Sequence, residues 1–149
     1  MITIELDSHA VNAALNTLAQ NIDNMYPAFD DIGVALVFDI RQNLGRGESP
    51  WGIPFDPLLK PRRRGTGVGD IPLNDTRQHI YNRITHNADR HSVDIGMIEN
   101  VLIGQTHQFG SEDKNIPARP FLPIWNDAVM LPPGWEQEVI DIINRHMQP

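Results

Sequence analysis

A length of 149 residues, 40% of them hydrophobic, suits one domain with enough apolar surface for a core of its own. No run of roughly 18–20 apolar residues is present to cross a membrane, and the start MITIELDSHA lacks the basic-then-apolar pattern of an export signal. The absence of cysteine excludes disulfides, thiolate zinc sites and cysteine nucleophiles and fits a reducing compartment, while a formal charge of −7 disfavours general affinity for phosphate backbones.

The charge is uneven: residues 1–59 carry eight acids against Arg41 and Arg46, whereas residues 60–64 contribute +4 through Lys60, Arg62, Arg63 and Arg64. In chain order, residues 3–6 alternate polar and apolar side chains, with Ile2, Ile4 and Leu6 on one side, as in a short edge strand. Ser8 is placed to cap a helix. Val11, Ala14, Leu15, Leu18, Ala19 and Ile22 then fall on one helical stripe. After a break at residues 23–26, Pro27 suits a first helical turn, and Phe29, Ile32, Leu36, Val37, Ile40 and Leu44 repeat the spacing up to a stop expected near Gly45.

Residues 45–72 change to glycine, proline and charge, a long irregular loop whose first half is expected to be pinned by Trp51, Ile53, Phe55, Leu58 and Leu59. Residues 79–86 and 91–96 read as two strands of a hairpin around turn-forming residues 87–90. A short helix is expected within residues 98–108. Pro117, Pro120 and Pro123 then hold IPARPFLP extended. A closing helix begins at Pro132 or Pro133, with Trp135, Val139, Ile142 and His146 on one side. This order does not alternate strand and helix, so the expected class is α+β: an antiparallel sheet packed against two N-terminal helices and a C-terminal helix. The single domain spans residues 1–149, with a helical part at 1–45, the long loop at 46–72, and the sheet, proline arm and last helix at 73–149.

Several groups could carry chemistry. His86, Asp89 and His91 offer metal-type donors across a turn, but no third and fourth ligand is apparent and local turn roles for these residues are common. His107 titrates in a range suited to a general base, yet no nucleophile motif accompanies it. Gly65, Gly67 and Gly69 beside the arginines resemble a phosphate cradle, but they lead into Asp70 and Pro72 and not into a helix. No catalytic, cofactor-binding or metal-binding residue is therefore assigned. The basic loop at residues 60–69 supports an alternative function, cytoplasmic nucleic-acid binding through Lys60, Arg62, Arg63 and Arg64.

The stretch from His107 to Pro123 decides between these readings. His107, Gln108, Phe109 and Gly110, a short loop, then Ile116, Pro117, Ala118, Arg119, Pro120, Phe121 and Leu122 resemble the hallmark of the phage virion morphogenesis family of Mu-like tail-completion proteins. Trp51 with Pro57 and Leu58, then Leu73 with Asp75 and Thr76, then Val93 to Gly96 resemble further elements of that family. Arg77 stands where the family pattern usually has Gly, His79 where it has Leu, and Pro123 where it has a small residue.

The resemblance implies a structural protein, not an enzyme and without a cofactor, that completes the tail at its head-proximal end and helps form the head–tail joint. It implies a ring of identical subunits, expected to be hexameric, touching the tail tube or terminator and neck or connector proteins, with DNA passing through. Assembly in the host bacterial cytoplasm and residence in the virion follow. Phe109, Ile116, Pro117, Arg119, Pro120, Phe121 and Leu122 are the expected interface. The sequence leaves open whether residues 116–122 dock on a neighbour, with Arg119 in a charged hydrogen bond and Phe121 as anchor, or cap their own core.

Overall fold

The computed structural model of the protein describes residues 9–58, 71–74 and 77–148. The strand expected at residues 3–6, the basic loop at 60–69, and Asp75 with Thr76 lie outside the described residues. The elements are α1 (His9–Asp23), α2 (Tyr26–Arg46), a 3-10 turn (Tyr81–Arg83), β1 (Ile84–Ala88), β2 (Val93–Met97), α3 (Val101–Phe109), β3 (Ile124–Trp125), β4 (Ala128–Val129) and α4 (Pro133–Met147). The class is α+β, with two small antiparallel sheets among the described residues, β1–β2 and β3–β4.

Helix α2 organises the core because its apolar residues recur at helical spacing along one face. Ala28, Ile32, Leu36, Ile40 and Leu44 follow one another every four residues and, with Val37, are buried. Each large side chain so buried contributes about 1.5–3 kcal/mol. The N-terminal half of the helix packs Ile32 and Leu36 against Ile142 of α4, with Trp135, Val139 and Ile143 alongside. Its C-terminal half packs Val37, Ile40 and Leu44 with Phe55, Ile80, Ile84 and Phe121. Trp135 and Ile95 touch both clusters and join them.

The helix stops two residues later than the glycine at position 45 suggests. Gly47 takes φ 74° and its N–H bonds to the Leu44 carbonyl, while the Glu48 N–H bonds to Asn43, a left-handed cap suited to glycine. Asn74, fully buried, adds its Nδ2 to the Leu44 carbonyl at 2.6 Å and to that of Pro72 at 3.1 Å. The segment after the cap folds back on the helix end through Phe55 N–H to Gly47 O and Asn43 Nδ2 to Ser49 O, each at 2.8 Å. Phe55 is buried as expected, but Ile53 is exposed: it lies in a tight turn closed on Ser49, where backbone bonding decides the placement.

The hairpin is present in register Ile84↔Met97, His86↔Ile95 and Ala88↔Val93, but its first strand starts later than residue 79. The Arg41 guanidinium captures the carbonyls of Tyr81 and Ile84 at 3.1 and 2.8 Å, and local bonds from Asn82 and Arg83 curl the chain into a 3-10 turn. Arg77, at the family's usual glycine position, takes φ 59°, the backbone region glycine adopts without strain, and stacks its guanidinium over the Tyr81 ring at 4.7 Å. A second hairpin, β3–β4, went unforeseen. Its turn residues Asn126 and Asp127 both have positive φ, the conformation of a two-residue primed turn.

Asp39 on α2 and Glu138 on α4 place two carboxyl groups together. Oδ2 of Asp39 is buried with no N–H or O–H donor against it, and it bonds to Glu138 only when one of the two carries a proton. Burial first, and then Glu138, raise the Asp39 pKa from 3.8 to about 6. An acid with a higher pKa folded than unfolded holds its proton more tightly in the native state. The stability it contributes is therefore complete below pH 3.8 and is lost as the pH rises to about 6. In Asp39→Asn the melting temperature should exceed that of the parent chain above pH 6, with the gap closing towards pH 4, as thermal melts across that range will read.

Candidate functional site

The two blocks HQFG and IPARPFL form one hydrogen-bonded unit, and the side chain that joins them is Gln108. Helix α3 turns Gln108 inward, where it is 4% exposed. Its Oε1 accepts from the N–H groups of Phe121 and Leu122, both at 2.9 Å, and its Nε2 donates to the Leu122 carbonyl at 3.2 Å. A carboxamide supplies acceptor and donor on one planar group, so it completes the backbone of an extended segment that has no neighbouring strand. The Arg119 N–H bonds to the His107 carbonyl at 2.7 Å, one turn of the motif further out.

Close approach of backbone to backbone explains the glycines. A Cβ on Gly110, whose φ is 78°, would meet the Ala118 nitrogen at 2.9 Å and the Ile116 carbonyl at 3.0 Å. A Cβ on Gly104 would strike the Met97 sulfur and reach Phe121 Cζ at 3.6 Å. Residues 111–116 between the blocks close on themselves through reciprocal bonds of Ser111 and Ile116 at 2.8 and 2.9 Å. Residues 117–121 of the proline arm take neither helix nor strand, and the chain bends at Leu122 and Pro123, where the Ile124 N–H bonds to the Leu122 carbonyl at 2.8 Å, so the arm expected to stay extended to Pro123 turns at its end.

Arg119 is 6% exposed and turns into the molecule, donating from Nε to the Asp56 carbonyl at 2.9 Å and from Nη2 to the Pro57 carbonyl at 3.2 Å. It ties the long loop, where Trp51, Pro57 and Leu58 stand, to the proline arm. Phe121 is 2% exposed and sits in the cluster of Val37, Ile40 and Leu44. Of the seven residues expected at an interface, these two are thus enclosed by their own chain, because a planar cation and an aromatic ring meet complete partners there. Leu122 is half-buried against the same core and Pro120 is half-buried, whereas Phe109 is exposed and, with Ile116, Pro117 and Ala118, lines an open groove of about 610 Å³ facing Asp56 and Pro57.

The residues with chemical potential are likewise engaged in structure. The His86 imidazole lies across Gly33 of α2, where any side chain would collide with the ring, and its Nε2 meets Asp30 Oδ1 at 2.8 Å. Asp89 binds the hairpin turn through Oδ1, accepting from the N–H groups of His91 at 2.6 Å and Ser92 at 2.8 Å. Those backbone bonds, His91 first, hold its carboxyl below the usual range. Among the described residues no three His, Asp or Glu side chains converge to hold a metal ion. Burial, and then the Arg119 charge, lower the His107 pKa and favour the neutral imidazole, whose Nδ1 is buried without a hydrogen bond. Gln108, the residue that organises the motif, was noted in the sequence only as part of the resemblance. Its signal was a polar side chain on the inner face of a short helix.

Replacing Gln108 by Ala leaves the Phe121 and Leu122 N–H groups without partners and should cost about 2–4 kcal/mol in urea unfolding. Phe121→Ala, which empties part of the core, should cost about 3–5 kcal/mol.

The model of the phage virion morphogenesis family matches residues 6–148. No curated protein and no solved structure is matched by the chain. A match over nearly the whole length places this chain in the phage virion morphogenesis family, with a structural role in building the phage particle.

Proposed function

We propose that the protein completes the phage tail at its head-proximal end and forms part of the head–tail joint, as a ring of identical subunits without bond-making chemistry. The ring is hexameric in this reading. It meets the tail tube or terminator on one side and neck or connector proteins on the other, with DNA passing through the opening. Assembly takes place in the host cytoplasm and the product stays in the virion.

The observation that carries the reading is a division of labour within the chain. His86, Asp89, Gln108 and Arg119 are spent on internal bonds, while large apolar side chains on α1, α3 and the β3–β4 hairpin face outward. Surfaces of that kind serve contact with other proteins. In this reading the docking surface is the open groove lined by Phe109, Ile116 and Pro117, while Phe121 and Arg119 turn into their own chain.

Deleting the gene should leave heads and unjoined, uncapped tails accumulating separately, visible by electron microscopy of the lysate, and supplying the chain in trans should restore joined particles. Normal joined particles in the deletion would contradict the proposal.

A further inference from the structure

A cleft of about 310 Å³ opens where α2, β2, α4 and the β3–β4 hairpin meet, and every residue that lines it is apolar. Helix α2 contributes Ile32 and Leu36, α4 contributes Val139 and Ile143, and β2 contributes Val93 and Ile95. A ligand pocket combines apolar walls with a few polar groups that orient its guest. No polar side chain stands in these walls, so burial and backbone bonding are what hold an occupant here.

The backbone bonding is on offer at β2. Among the described residues its sheet contains only β1 and β2, and no backbone group of residues 93–97 bonds to the backbone of another segment. The far edge of β1 is partly taken, since Arg41 Nη2 holds the Ile84 carbonyl at 2.8 Å. Val93 and Ile95 are half-buried while Asp94 between them is exposed, as the alternation of a strand requires. An open edge with one apolar side accepts an extended segment whose alternate side chains enter that side.

The chain carries such a segment just before α1. Ile2, Ile4 and Leu6 alternate with Thr3 and Glu5, which sets three aliphatic groups on one face of an extended backbone and two polar groups on the other. Helix α1 packs on α4: Asn21 Nδ2 reaches the Gln148 carbonyl, and Leu18 and Ala14, one and two turns earlier, are half-buried. It therefore leads back along the helix that carries Val139 and Ile143. From the start of α1 at His9, seven residues span up to about 23 Å at ~3.3 Å each. So short a tether gives the segment an effective concentration on the order of mM, which favours it over a free partner.

We propose that residues 2–6 add as a third strand on the outer edge of β2 and place Ile2, Ile4 and Leu6 in the cleft. Thr3 and Glu5 then share the exposed side of Asp94. A cavity of about 150 Å³ holds one benzene ring, so a volume of about 310 Å³ takes roughly two or three aliphatic side chains. The cleft is thus completed by its own chain, and it is closed to small apolar ligands and to other proteins while the segment is in place.

Methyl NMR on the full chain tests the placement. The Ile4 methyl groups should show Overhauser contacts to those of Ile95 and Ile143, and a mixture of two differently labelled samples separates contacts within a chain from contacts between copies. Ile4→Glu should lower the melting temperature by several degrees, because it places a charge in the cleft, whereas Thr3→Glu should leave it little changed. If Ile4→Glu does not fold, Ile4→Ala against Thr3→Ala makes the same comparison. Absent contacts, contacts found only between copies, or equal melting of the Ile4 and Thr3 variants would overturn the proposal.

Discussion

The carboxamide of Gln108 holds the fold's least regular part in place. Residues 116–122 have no strand beside them, and Pro117 and Pro120 deny the segment a helix or a full ladder of backbone bonds. Its N–H groups at Phe121 and Leu122 would be buried without partners if Gln108 did not supply them. With that bond made, Phe121 is fixed in the core beside Leu44, and Arg119 is carried to the carbonyls of Asp56 and Pro57. The long loop, α3 and the proline arm are therefore coupled through one side chain.

Such an arrangement explains why the family's sequence elements are scattered along the chain. Glycine at position 110 permits the arm to approach, and glycine at 104 permits α3 to lie on Met97 and Phe121. Arg119 closes the loop that begins near Trp51. These contacts tie the loop, α3 and the arm into one bonded unit.

Much of this was legible beforehand. The stripes of α2 and α4 appear directly as helical spacing, because burial on one side leaves that period in the sequence. The hairpin of β1 and β2 was visible, but its first boundary was not: the side chain that curls residues 81–83 is Arg41, some forty residues away, and no local pattern records that bond. The β3–β4 hairpin escaped notice because its strands are only two residues long, although Asn126 and Asp127 carry a turn signature. The placement of Phe121 and Arg119 could not be read from composition, since an interface anchor and a core aromatic use the same residue types.

What remains on the outside then defines the protein's work. An acidic chain that leaves large apolar side chains exposed on α1, α3 and the β3–β4 hairpin suits a structural protein that builds the phage particle through contact with other proteins. The most direct measurement is the number of copies per purified virion, by quantitative mass spectrometry with localisation by antibody labelling. The account predicts a small fixed number, equal to one ring, at the junction of head and tail. Absence from finished particles, or hundreds of copies along the tail, would contradict it.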